Sequence, residues 1–141
     1  MSSAIETLVR QHRDCDQALE ALEACLRSQD WDAAAGAFAR LEAVLQGNFW
    51  SEEERLFPAF ERAAGSASGP TAMMRHEHGE VRALLGNARE WLELRDANAL
   101  AAELDTLVVL LQQHNIKEEN VLFPMCRAHV PDLDALLANA G

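Results

Sequence analysis

An internal repeat constrains this chain more than any other feature. A shift of 66 residues lays the stretch from Asn48 to Pro58 onto the stretch from His114 to Pro124. Glu52 then falls on Glu118, Glu53 on Glu119, and Leu56-Phe57-Pro58 on Leu122-Phe123-Pro124. The same shift lays His12 on His78. A unit repeated in this way is one supersecondary element that needs its neighbour to cover its apolar side. The unit here reads as a helical hairpin.

The apolar pattern supports that reading. Ile5, Leu8, Val9, His12, Cys15, Leu19, Leu22 and Leu26 follow one face of a first helix, expected from Ser3 to Ser28 and opened by a Ser3/Glu6 capping box. Phe38, Leu41, Val44, Leu45, Asn48, Glu52 and Leu56 mark a second, capped by Asp30 and weakened or kinked near its end by Pro58. The run Gly65-Ser66-Ala67-Ser68-Gly69-Pro70 is a loop. Met74, His78, Val81, Leu85 and Leu92 share a side of the third helix. The fourth, capped by Asp96 or Asn98, carries Leu100, Leu104, Leu107, Leu111, His114 and Glu118 into Pro124. After Pro131, residues 132–139 suit a short terminal helix outside the bundle. The expected fold is all-α, an antiparallel up-down-up-down four-helix bundle of two repeated hairpins. It forms a single domain over 1–141, with its core at about 4–127 and a tail at 128–141.

Charge narrows the function. There are 23 Asp and Glu against 12 Lys and Arg, a net charge of −11, and no basic cluster. Nucleic acid and an anionic membrane surface are poor partners for such a chain. The longest strongly apolar run, Leu107 to Leu111, is far short of a membrane span. The N-terminus lacks the pattern of a signal peptide. Three cysteines, an odd number, fit reduced thiols, so the expected location is cytoplasmic.

His114 and Glu118 stand four positions apart, so on a helix they share a face, and the leucines before them put that face in the core. A buried carboxylate is costly unless neutralised. A metal cation, an arginine or a proton can each do this. Around one bundle axis His12, position 48, His78 and His114 lie at similar depth, with Glu52 and Glu118 one turn along. The candidate metal ligands are therefore His12, Glu52, His78, His114 and Glu118. Imidazole and carboxylate without thiolate suit iron, manganese or zinc, and two carboxylates from opposite helices can bridge two metals. Here His precedes Glu by four, unlike the Glu-x-x-His of ferritin-like bundles. The competing arrangement pairs Glu52 and Glu118 with Arg82, one turn from His78, leaving a degraded site in a bundle that acts through protein contacts. Asp16, one turn from His12, is an additional candidate ligand. His76 is expected at the surface, His129 near a helix end, Cys15 in the core, and Glu53, Glu54 and Glu119 in solvent.

On His12, Glu77-His78, His114-x-x-x-Glu118-Glu119-x-x-Leu122-Phe123-Pro124 and Glu52-Glu53-x-x-Leu56-Phe57-Pro58, the chain resembles the hemerythrin-like family of HHE cation-binding domains over roughly Ala4 to Arg127. The resemblance implies a non-haem di-iron centre bridged by Glu52 and Glu118. It implies a small-molecule ligand such as dioxygen, nitric oxide or peroxide. A di-iron oxidase or peroxidase, and a protein that repairs iron centres, are the alternatives that it brings. The chain departs from the family pattern at Asn48, where the family has histidine, and lacks the extra third-helix histidine of true hemerythrins, having Met74 and Arg82 around His78. One metal would keep His78 and His114, and the other His12 with the weaker donors Asn48 and Asp16.

Overall fold

A computed structural model describes residues 3–138 of the chain. Helix α1 (Ala4–Arg27) runs antiparallel to α2 (Trp31–Ser51), and α2 continues through a π-helical turn (Glu52–Leu56) into α3 (Phe57–Ala64). Helix α4 (Pro70–Glu93) pairs in the same way with α5 (Ala97–Lys117), which continues through a second π-helical turn (Glu118–Leu122) into α6 (Phe123–His129). Helix α7 (Leu133–Ala138) closes the described chain, and there is no strand among the described residues. Side by side, the hairpins make an antiparallel four-helix bundle: α1 and α4 each lie against both α2 and α5.

The two hairpins agree residue by residue. Under the 66-residue shift the starts and ends of α1 and α2 fall on those of α4 and α5, and the first π-helical turn falls on the second. The inter-helix corners match too. Gln29 and Arg95 both sit at φ 54°, and Asp30 and Asp96 cap the following helices by accepting from the Ala33 and Ala99 amides. Of the two expected caps for α5, Asp96 is therefore the one used. The Ser3/Glu6 capping box forms as expected.

Pro58 interrupts the regular helix as expected, but not near its end. The rod does not end there, and the fourth helix does not stop at Pro124. Proline has no amide hydrogen and its ring crowds the carbonyl four residues back. One wide turn before each proline absorbs the conflict: the amides of Phe57 and Phe123 reach five residues back to the carbonyls of Glu52 and Glu118. Helix then resumes, with the proline in its first turn. Wide turns of this kind recur at functional sites in helices.

Two apolar clusters fill the interior. One runs from the inter-helix corners to Cys15, Phe49, Val81 and Leu111. The other contains Leu8, Leu56, Phe57, Met74, Leu122, Phe123 and Cys126. Leu133 of α7 is buried in the second cluster, so the terminal helix covers an end of the core; the expected last residue of that helix, Asn139, lies outside the described residues. Between the clusters, in sequence register on all four helices, stands a polar layer: His12, Asn48, Glu52, Glu77, His78, His114 and Glu118, all buried.

Candidate metal centre

Each inner helix face delivers one or two donors to the layer. α1 brings His12, α4 brings His78, and α5 with its π-helical turn brings His114 and Glu118. Glu52 arrives on the first π-helical turn. Ligand atoms of Glu52, His78, His114 and Glu118 all lie within 4.8 Å of one another, and the four side chains have almost no exposure. His12 joins from the far side, its Nε2 at 3.0 Å from Glu118 Oε1 and 3.7 Å from Glu52 Oε2. Glu52 Oε1 is 3.0 Å from His78 Nε2, and Glu118 Oε1 is 3.2 Å from His114 Nε2. Each carboxylate thus reaches histidines of both hairpins, and the five expected residues form one cluster.

The outer nitrogen of every cluster imidazole faces a carboxylate. His12 Nδ1 lies 2.8 Å from Glu119, His78 Nδ1 2.7 Å from Glu53, and His114 Nδ1 2.8 Å from Glu77. A carboxylate only accepts, so each Nδ1 carries the hydrogen and donates it. In the neutral rings Nε2 is then a bare lone pair turned to the centre. His78 Nε2 and His114 Nε2 stand 3.2 Å apart. Neither oxygen of Glu52, nor Oε2 of Glu118, has a hydrogen bond of acceptable direction, although Glu52 Oε1 is close to His78. Lone pairs on nitrogen and oxygen converge on one dry spot. Only a cation or protons relieve such an arrangement. Outer carboxylates on the far nitrogen of each ring are also what fixes tautomer and raises donor strength in metal sites. The donor set fits a cation.

Charge in the metal-free layer follows from this crowding. Burial pushes the His12 imidazole down, and the adjacent Glu118 and Glu52 outweigh it, lifting His12 to about 10. Burial and then the charge of Glu118 push Glu52 up to about 7. Glu118 goes the other way: burial opposes its ionisation, but the adjoining His114 and His12 rings hold it well below the ordinary carboxylate range. The two central carboxylates thus shift in opposite directions, Glu52 toward its protonated form and Glu118 toward its ionised one.

Two expectations are corrected here. Glu53 is half-buried and does not face solvent, for it holds His78 across the hairpin boundary; Glu54 and Glu119 are exposed as expected, yet Glu119 also holds His12 across that boundary. Arg82 does not neutralise Glu52 or Glu118. Its guanidinium makes two bonds, 2.9 and 2.8 Å, to Glu53. Burial opposes the ionisation of Glu53, and Arg82 with His78 prevails and holds it below its usual range. Glu77, whose role the sequence reading missed, is held in turn by Lys117 at 2.6 Å.

Asn48 is buried in register with His114, and its amide donates to Gln11 Oε1 at 2.8 Å. Asp16 is exposed; burial raises its carboxyl above the usual range, and the charge of nearby His12 opposes that rise. His76 is at the surface beside Glu80, His129 ends α6, and Cys15 is a buried core residue. Phe49 stacks on His78 at 3.7 Å between centroids, and Phe57 and Phe123 stack at 5.6 and 5.8 Å on His78 and His12.

The outer carboxylates give a direct test. Glu77→Ala is expected to weaken cation binding by about 10–100-fold, because His114 loses the partner that fixes its tautomer. Competition with a coloured chelator measures this, and an unchanged affinity would show that Glu77 only neutralises Lys117.

No helix among the described residues is long and apolar enough to cross a membrane. Neither a search of curated proteins nor one of solved structures gave a match. The family model for the hemerythrin HHE cation-binding domain matches residues 3–126, which include every histidine and carboxylate of the cluster. This chain belongs to the hemerythrin HHE cation-binding family.

Proposed function

We propose that this protein is a non-haem iron protein whose buried centre binds, senses or handles dioxygen, nitric oxide or peroxide. His12, Glu52, His78, His114 and Glu118 hold the metal. The observation that carries the reading is the convergence of three imidazoles on two buried carboxylates, three of whose four oxygens have no hydrogen-bond partner. Nitrogen and oxygen donors without thiolate suit iron, with manganese or zinc as competitors. Iron bound here supplies a redox-active Lewis acid for a small molecule.

The chain's own residues define what that molecule is. Glu52 and Glu118, with 0 % exposure, supply negative charge where water cannot. Glu53, Glu77 and Glu119 keep the three rings in one tautomer. Phe49, Phe57 and Phe123 wall the histidines with apolar surface. A site so enclosed suits a molecule of two or three non-hydrogen atoms and not a metabolite. A cytoplasmic setting completes the proposal, supported by three cysteines that are all free thiols.

The experiment is anaerobic loading with iron(II), followed by separate additions of nitric oxide, air and peroxide under an absorption spectrometer. A new band with at least one of them is expected. No change with any of the three overturns the reading. Continued consumption of peroxide would class the protein as an enzyme.

Acid should oppose loading. The metal-free centre holds a proton on His12 up to about pH 10 and on Glu52 up to about pH 7. A cation among Glu52, His78, His114 and Glu118 must displace the Glu52 proton, and its charge opposes the proton that His12 keeps, so its affinity rises with pH. The expected slope is roughly tenfold per pH unit below pH 7, for the one proton released, and shallower above it. Chelator competition at pH 6, 7 and 8 checks this; a flat profile would contradict the protonation pattern.

A further inference from the structure

The repeat exposes an asymmetry within the cluster. Gln11 and Asn48 stand in the first hairpin where Glu77 and His114 stand in the second. Both pairs are closed by a bond of the same length, 2.8 Å, one from Asn48 to Gln11 and the other from His114 to Glu77. The two substitutions are therefore one change. Where the second hairpin sets a charged acceptor behind an imidazole, the first sets a neutral acceptor behind an amide, at the same distance.

The outer charges differ in the same sense. In the second hairpin Arg82 holds Glu53, the partner of His78, and Lys117 holds Glu77, the partner of His114. The register equivalents of Arg82 and Lys117 in the first hairpin are Asp16 and Ser51. The His78/His114 side thus has two imidazoles, each backed by a carboxylate that a built-in cation steadies. The His12 side has one imidazole backed by Glu119. Asn48 commits its amide NH2 to Gln11, which leaves its carbonyl oxygen as the atom that it can offer.

Resting on the reading of the cluster as a metal centre, we propose that the Gln11–Asn48 amide pair makes the centre unequal: one cation is held tightly between His78, His114, Glu52 and Glu118, and a second position beside His12 is weak. The pair is a specificity-determining device for metal number. An amide oxygen is neutral and lacks the donor strength of an imidazole backed by a carboxylate. The deficit at the His12 side exceeds the roughly 10–100-fold that loss of an outer partner alone costs. Histidine at position 48 by itself would not restore a full position, because its outer nitrogen would meet a neutral amide and not a carboxylate.

The test is iron content after anaerobic loading with iron(II) and desalting, by elemental analysis, on the wild type, Asn48→His, Gln11→Glu and the double variant. The wild type is expected to retain about one iron per chain, the double variant about two, and each single variant less than the double. The reverse pair, Glu77→Gln with His114→Asn, makes both sides weak, and its retained iron is expected to fall well below one per chain; it also serves if the forward variants fold poorly, as judged by circular dichroism. Two tightly held irons in the wild type overturn the inference. So does a folded double variant that stays at one, or Asn48→His alone matching the double. A wild type that retains no iron, with the fold intact, overturns the metal reading beneath it, which is a distinguishable failure.

Discussion

Glu118→Ala is expected to strip the protein of retained iron and to lower the unfolding free energy of the metal-free chain by about 3–5 kcal/mol. Glu118 has 0 % exposure, and its Oε1 touches the inner nitrogens of both His12 and His114, at 3.0 and 3.2 Å. With His12 lifted to about 10, its ring is a buried cation at neutral pH, and Glu118 is the nearest ionised partner of its inner nitrogen. Removing one member of a buried ion pair costs more than removing one of a surface pair; here the inner nitrogen of His12 would keep only Glu52 at 3.7 Å, and its outer nitrogen Glu119. Urea unfolding of the metal-free variant measures it. A loss under 1 kcal/mol would mean that the layer is not the tightly coupled charge system described above.

The second large effect is expected at Phe49. Its ring is 1 % exposed, stacks on His78 at 3.7 Å with 12° between planes, and lies 5.2 Å from the Arg82 guanidinium. Phe49→Ala removes a fully buried aromatic and leaves a cavity, costing about 3–5 kcal/mol. It also opens the histidine to water, so iron retention should fall together with stability. Thermal unfolding of metal-free protein and iron content of loaded protein separate the two losses. A stable variant that still binds iron as the wild type does would show that the ring is a packing residue alone, and a poor one.

These effects concern residues that the sequence marks with unequal clarity. The bundle was legible because its signals are local and doubled: caps at Asp30 and Asp96, apolar stripes, and a repeat that extends to single-residue agreement in helix ends. The inner donors were legible because a carboxylate such as Glu118 among leucines needs an explanation. The outer ring was not. Glu53 and Glu119 read as solvent residues because helical spacing turns them away from Glu52 and Glu118; spacing within one helix says nothing of a histidine on the next. What could have revealed them was the second glutamate of each Glu-Glu pair, since the repeat preserves it too. Gln11 is visible only in retrospect. A glutamine beside a histidine draws no attention until the structure shows Asn48 bonded to it and the register sets the pair against Glu77 and His114.

The rods' continuation past Pro58 and Pro124 escaped for a different reason. Proline forbids one hydrogen bond, but a chain can meet that demand by ending, kinking or widening a turn. The choice depends on what the following residues bury. Phe57, Phe60, Phe123 and Cys126 all join the second apolar cluster, which rewards continued helix beyond each proline. Widening has a functional consequence as well, for it is on these turns that Glu52 and Glu118 enter the centre.

The central claim is that a cation belongs among Glu52, His78, His114 and Glu118. Crystals of protein loaded anaerobically with iron(II), with diffraction recorded on both sides of the iron absorption edge, test it most directly. The expected result is an anomalous peak within coordination distance of the inner nitrogens of His78 and His114 and of both carboxylates. Iron found only on surface carboxylates, or a layer closed by protons alone in crystals soaked with excess iron, would contradict the account.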